Sequence, residues 1–204
     1  LEAARHDFRR GIELNPDLPA PFHGMGLLEE RVGDVARAEK SYREALKVDP
    51  GFGPARVNLG RILFARRDYD GAREQFLRLT EVAPRVLEGW TGLVESMLKL
   101  HREHDADDAL DLAREKLGEQ PALVLLVGRR LLRQGDAAAA IAALEPVTRE
   151  GTPALRASAL AWIAVARATR GEVEASQTAA KEALALDPQN GVARYAQEAR
   201  TNLD

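Results

Sequence analysis

Apolar side chains recur along this chain at helical spacing, and the pattern returns every 34 residues. Ala38, Tyr42 and Ala45 stand twelve, eight and five residues before Pro50. The same offsets hold Ala72, Phe76 and Leu79 before Pro84, and Ala4, Phe8 and Gly11 before Pro16. Steps of three and four put each trio on one face of a helix. The proline then ends that helix, because it has no N–H to donate and pushes its predecessor out of the α region. A turn signal precedes each such helix, Gly33-Asp34 in one copy and Arg67-Asp68 in the next. Ahead of the turn lies a second periodic segment, with Phe22, Met25 and Gly26 in one copy and Leu59, Gly60 and Leu63 in the next. The small residue lets the two helices approach, and the large ones fill the space around it.

Continuing the period places Trp90, Leu93, Val94 and Met97 in the next first helix. Ala106, Leu110 and Ala113 follow in its partner, and Gly118 takes the proline's place. The following copy holds Val124, Val127, Gly128 and Leu131, then Gly135-Asp136, then Ala140, Leu144 and Val147. After a two-residue slip around "EGTPAL", the last copy holds Leu160, Ile163 and Ala164, then Gly171, Ser176, Ala180, Ala183 and Pro188. The period predicts a single array over 1–204, with full helix pairs at 19–52, 53–86, 87–120, 121–154 and 155–190. Residues 1–18 read as a second helix without its first, and 191–204 as a capping helix with Val192, Tyr195, Ala196 and Ala199 on its apolar stripe. One pair cannot bury both faces, so copies stack and the same residue types recur. Glu29, Arg56 and Arg167 break the pattern at apolar sites, which predicts local exposure or compensating contacts.

The pattern resembles the tetratricopeptide repeat, a 34-residue helix–turn–helix written W-x2-L-G-x2-Y, then A-x3-F, then P. The resemblance covers almost the whole chain. It implies an all-α fold, a right-handed α-solenoid of antiparallel helix pairs whose first helices line a concave groove. In this family partner segments lie in that groove. Carried over position by position, the early groove holds Asn58, Arg61 and Phe64, and the middle holds Glu95. The late groove holds Leu125, Leu126, Arg129, Arg133, Trp162 and Val165. The family's carboxylate clamp keeps only Asn58 here, since Glu88 and Gly92 occupy its lysine and arginine sites. That clamp is not expected. An apolar late groove with arginine flanks would instead suit a hydrophobic segment or amphipathic helix carrying acidic residues. Leu125, Leu126 and Trp162 read equally well as packing against the next repeat's first helix.

Composition narrows the function. Charged residues make up 30% and aromatics only 5%, much of the apolar share being alanine, which favours closely packed helices. A net charge of −3 gives no basic excess to attract nucleic acid. Without cysteine there is no disulfide, thiol chemistry or Cys-ligated zinc. No apolar run is long enough to span a membrane and no signal-peptide pattern opens the chain, so no membrane insertion is expected. The chain opens on Leu1, so the natural start, with any signal or lipid anchor, is expected to be missing. Cytoplasm and periplasm fit equally. Only five of 29 basic residues are lysine, a bias that suggests a GC-rich bacterial genome.

Candidate chemistry is thin. "HREHDADDA" gathers His101, His104, Asp105, Asp107 and Asp108, but the stretch spans a turn, and acids there suit the positive end of a helix better than a metal. His6 and His23 read as helix-surface residues. No nucleophile set, phosphate loop or cofactor motif is present. The resulting expectation is a non-catalytic protein–protein interaction scaffold. The resemblance adds a setting in a bacterial assembly for secretion, pilus or motility function, or exopolysaccharide export. The alternative is a recruiting segment of a larger glycosyltransferase, sulfotransferase or kinase. Phe8, Ile12 and Leu14, on a helix without its partner, add an expectation of self-association.

Overall fold

The structure, a computed structural model, describes residues 2–198. Ala199 of the expected capping stripe lies outside them. The described residues form twelve α-helices and no strand. The chain divides into two compact units, Leu1–Lys116 and Leu117–Asp204. The first contains α1 (Glu2–Leu14), α2 (Pro19–Arg31), α3 (Val35–Val48), α4 (Gly53–Ala65), α5 (Tyr69–Val82), α6 (Leu87–Lys99) and nearly all of α7 (Glu103–Leu117). The second contains α8 (Pro121–Arg133), α9 (Ala137–Glu150), α10 (Pro153–Thr169), α11 (Val173–Leu186) and α12 (Gly191–Glu198).

Five of these helices end in the same way, and this explains the repeated turn signal. After α2, α4, α6, α8 and α10 one residue adopts the left-handed conformation: Gly33, Arg67, His101, Gly135 and Gly171, with φ between 56° and 84°. The next N–H then reaches back five residues. Asp34 N donates to Glu29 O, Asp68 N to Leu63 O, Arg102 N to Met97 O, Asp136 N to Leu131 O and Glu172 N to Arg167 O, each at 2.9 Å. This satisfies carbonyls that a helix end would leave orphaned. The following helix is capped from the same turn. Asp34, Asp68 and Asp136 side chains accept from the N–H groups of Arg37, Gly71 and Ala139 at 2.9–3.0 Å.

Three pairs pack a large side chain of the second helix onto a glycine of the first, Tyr42 on Gly26, Phe76 on Gly60 and Leu144 on Gly128. Tyr42 is wholly buried against Gly26, where an added Cβ would stand 2.5 Å from its ring. Leu144 meets Gly128 in the same way, at 2.6 Å. In the second unit Leu144 joins Ile163, Ala164, Ala179, Ala180 and Ala196 in one core. Alanine dominates this interior because α10 and α11 run close together.

The residues that break the pattern are answered across neighbouring elements. Glu29 accepts from Ser41 Oγ at 2.7 Å. Arg56 Nε donates to Pro50 O at 2.9 Å and its Nη1 to Gln75 Oε1 at 3.0 Å. Arg167 Nη1 donates to Ala175 O at 3.2 Å.

Three expectations are corrected. In α8 the buried positions are Leu123, Leu126 and Gly128, while Val124, Val127 and Leu131 are only half-buried. Packing rather than side-chain size selects Leu123 and Leu126 for the interior, since Leu125 and Leu131 are as large and stay half-buried. In α12 Ala193 and Ala196 are buried, but Tyr195 is 67% exposed and points away from the apolar stripe. The small side chains fit against α10 and α11, and the tyrosine does not. His23 is half-buried rather than simply on the helix surface: its ring sits 5.5 Å from the rings of both Tyr42 and Phe52.

Candidate binding cleft

The first unit holds a cleft of about 1000 Å³ lined by residues from α2 through α6, most of them on α4 and α6. Its apolar surface comes from Val35, Ile62, Phe64, Phe76 and Gly92. Charges are brought to it by Glu30, Arg61, Arg66, Glu95 and Lys99. Four-residue spacing explains the last pair, since Glu95 and Lys99 fall on one face of α6. Arg61 and Phe64 are likewise three apart on α4.

One side of the cleft rests on a hydrogen-bonded chain. Arg61 Nη1 donates to Asn58 Oδ1 at 3.2 Å, which orients the Asn58 amide. Its Nδ2 then faces His23 Nε2 at 3.0 Å. An amide N–H can only donate, so His23 Nε2 accepts and its ring is neutral, with the proton on Nδ1. Burial also holds the His23 pKa below its ordinary value, against the opposing pull of the Glu30 carboxylate. Tyr42 Oη donates to Glu30 Oε2 at 2.5 Å. Burial, that hydrogen bond and the carboxylate's charge all push the Tyr42 hydroxyl upward and keep it protonated. Arg66 is engaged with Glu39.

The fold therefore brings four expected residues to one place: Arg61, Phe64 and Glu95 line the cleft, and Asn58 stands behind Arg61. Asn58 is only 8% exposed, so it orients its neighbours rather than meeting a partner. Sequence reasoning missed Phe76 and Gly92. Each reads as a packing residue of the repeat, and each also lines the cleft.

The other expected residues lie in the second unit. Leu126 is 4% exposed and belongs to the interior, so it is withdrawn as a partner contact. Leu125, Trp162 and Val165 are half-buried against the Leu144–Ile163 core. Arg129 caps this patch, its guanidinium carbon 5.3 Å from the Trp162 ring centre, a cation–π distance. Arg133 is exposed. Around His101 the acids serve the turn: Arg102 Nε donates to Asp105 Oδ2 at 2.6 Å, and His104 Nδ1 lies 3.1 Å from Asp108 Oδ2. No helix among the described residues is long and apolar enough to cross a membrane.

Capped helix pairs around an apolar cleft with a charged rim define a helical-repeat protein. A family model for the tetratricopeptide repeat matches residues 23–85 and 125–191, more than half of the chain. The chain belongs to the tetratricopeptide repeat family, whose repeats support protein–protein interaction and whose members bind protein or peptide partners. Protein FlbA of Caulobacter vibrioides is 30% identical over 133 residues, which is 64% of this chain and 22% of FlbA. A probable biofilm formation methyltransferase, WspC of Pseudomonas putida, is 36% identical over 84 residues, 41% of this chain and 19% of that protein. The chain thus spans about a fifth of the length of these curated relatives. The crystal structure of YrrB, a tetratricopeptide protein with an unusual peptide-binding site, shares the fold at a TM-score of 0.66. Its identity is 21%, over 94% of this chain and 97% of YrrB.

Proposed function

We propose that this chain is a non-catalytic scaffold that holds a segment of a partner protein in the cleft of its first unit, within a bacterial multiprotein assembly. The observation that carries this reading is the cleft itself: half-exposed apolar surface at Phe64 beside the charges of Arg61 and Lys99. Such a surface suits an apolar or amphipathic segment. Arg129, Trp162, Leu125, Val165 and Arg133 form a second, separate candidate surface in the second unit.

The test is a photocrosslinking amino acid placed at Phe64, followed by mass spectrometry of the adducts from a bacterial lysate. The reading requires a defined protein crosslinked at Phe64 and lost on adding Arg61→Glu. Adducts indifferent to Arg61→Glu would remove the cleft from consideration.

The partial match to a methyltransferase favours a second reading, that these repeats recruit a partner for an enzyme carried on the same polypeptide. Sequencing the gene on both sides of this segment decides it: a flanking catalytic domain supports recruitment, and further repeats alone support the scaffold.

A further inference from the structure

The chain has one Asn–Gly pair, Asn190-Gly191, and it stands where the turn after α11 enters α12. Nothing in the packing calls for a glycine there. Gly191 is not among the residues with positive φ, and a Cβ built on it would meet no atom within 4 Å. What the glycine provides is a backbone nitrogen that no side chain screens. Gly191 is exposed, and its N–H has no acceptor among the described residues. Beside it Asn190 caps α12: its Oδ1 accepts from Ala193 N at 3.0 Å. The Asn190 amide nitrogen has no partner among the described residues.

The other described asparagines lack this arrangement. Asn15 is followed by Pro16, which has no N–H, and Asn58 is buried in α4 with both amide atoms engaged. The turn ahead of α12 is stitched on both sides of Asn190. Asn190 N donates to Asp187 O at 3.1 Å, and Arg194 Nε and Nη2 donate to Pro188 O at 3.1 and 2.6 Å. Beyond the turn α12 docks through small side chains. Ala193 sits with Ala161 and Ala183, and Ala196 joins the core of Leu144 and Ile163.

We infer that Asn190 is a self-modification site, at which Gly191 N attacks Asn190 Cγ and the isoaspartate that results loosens α12. The N–Cγ bond forms as Cγ–Nδ2 breaks, and the Gly191 amide hydrogen leaves with Nδ2 as ammonia. Water then opens the five-membered imide. Entry at Cγ gives aspartate on an ordinary backbone. Entry at the main-chain carbonyl carbon of residue 190 gives isoaspartate, with the chain running through Cβ and Cγ. Nothing is oxidised or reduced, and water is the only co-reactant. Asn190 must release Ala193 before Cγ can turn to the nitrogen, so the rate follows opening of the first turn of α12. Isoaspartate puts one more carbon into a turn pinned on both sides and moves the oxygen that capped Ala193 into the main chain. The helix then loses its cap and the register that seats Ala193 and Ala196.

The experiment incubates the whole chain, Gly191→Ala and Asn190→Asp in warm, mildly alkaline buffer. Peptide mass spectrometry follows conversion at each asparagine, and electron-transfer fragmentation separates isoaspartate from aspartate. Isoaspartate should accumulate at position 190 ahead of any conversion of Asn15 or Asn58. Gly191→Ala, whose methyl enters open space and leaves the fold intact, should slow it at least about tenfold by screening the nitrogen. Amide hydrogen exchange over 191–198 should be faster in the isoaspartate form than in Asn190→Asp, which keeps both the backbone and the cap. Conversion as fast in Gly191→Ala as in the native chain would overturn the inference. So would an unreacted Asn190 after a synthetic peptide of the same local sequence has reacted fully. Hydrogen exchange unchanged by isoaspartate would remove its effect on α12 and overturn the inference as stated.

Discussion

Asn58 donates its amide N–H to the ring nitrogen of His23, 3.0 Å away and 35 residues earlier in the chain. The bond joins α2 to α4 and exists only while that nitrogen is unprotonated. Protonation would set two donors against each other, and flipping the Asn58 amide would forfeit its bond from Arg61.

Stability should therefore depend on pH in a definite direction. The folded His23 pKa lies below the ordinary 6.5, so the unfolded chain takes up its proton first. Stability from this residue is complete above about pH 6.5 and declines as pH falls through the interval between the two pKa values. Thermal melts of the native chain and His23→Gln at pH 7.5 and 5.5 measure it. The native chain should lose more stability over that range than the variant; equal losses would place the pH dependence elsewhere.

Arg67 occupies a left-handed turn position, φ 64°, that Gly33, Gly135 and Gly171 fill in other pairs. A side chain there costs about 1 kcal/mol, part of which is returned because arginine has fewer unfolded conformations than glycine. Arg67→Gly should stabilise the chain by up to about 1 kcal/mol in urea denaturation. A loss of stability would mean that the Arg67 side chain makes a contact worth more than the strain.

Leu126 and Arg133 were placed on one surface by repeat position but differ completely in burial. Leu126→Ala should cost about 2–4 kcal/mol, as for a buried leucine, whereas Arg133→Ala should stay within about 0.5 kcal/mol. Similar small effects from both would return Leu126 to the surface.

Tyr42 is wholly buried, and its hydroxyl serves Glu30. Tyr42→Phe keeps the ring over Gly26 and strips the carboxylate of its partner. A cost of about 1–2 kcal/mol is expected, from equilibrium unfolding. The gap should close in Tyr42→Phe with Glu30→Gln, which removes the charge as well.

Leu14 and Leu18, at the end of α1 and in the loop after it, are 65% and 50% exposed. Light scattering across a hundredfold concentration range should show mass rising with concentration, abolished by Leu14→Glu with Leu18→Glu. A constant monomer mass would dismiss self-association through this end.

What could be read from the chain is what local chemistry writes. Pro50 stops α3 after Val48 wherever the helix later packs, and Asp34 caps α3 through a bond three residues long. Glycines at 26, 60 and 128 announced close helix contacts because no larger side chain could stand there. The cleft was legible only in part. Arg61, Phe64 and Glu95 followed from repeat position, but Gly92 and Phe76 looked like ordinary packing residues. Their role depends on a ring from α5 arriving between two glycines on different helices, a three-body fit that periodicity does not encode. Leu126 misled for a related reason: leucines at 123, 125, 126, 131 and 132 make α8 apolar on several sides, and packing alone chose among them.

The five turns closed by bonds reaching back five residues bear on how the chain finds its structure. Each turn needs no distant partner to form, so a helix pair can nucleate wherever it first collapses and grow toward its neighbours. A chain whose connections are this local has low contact order. Its search through conformations is correspondingly shortened at five places, where a backward-reaching N–H closes a turn before any distant contact forms.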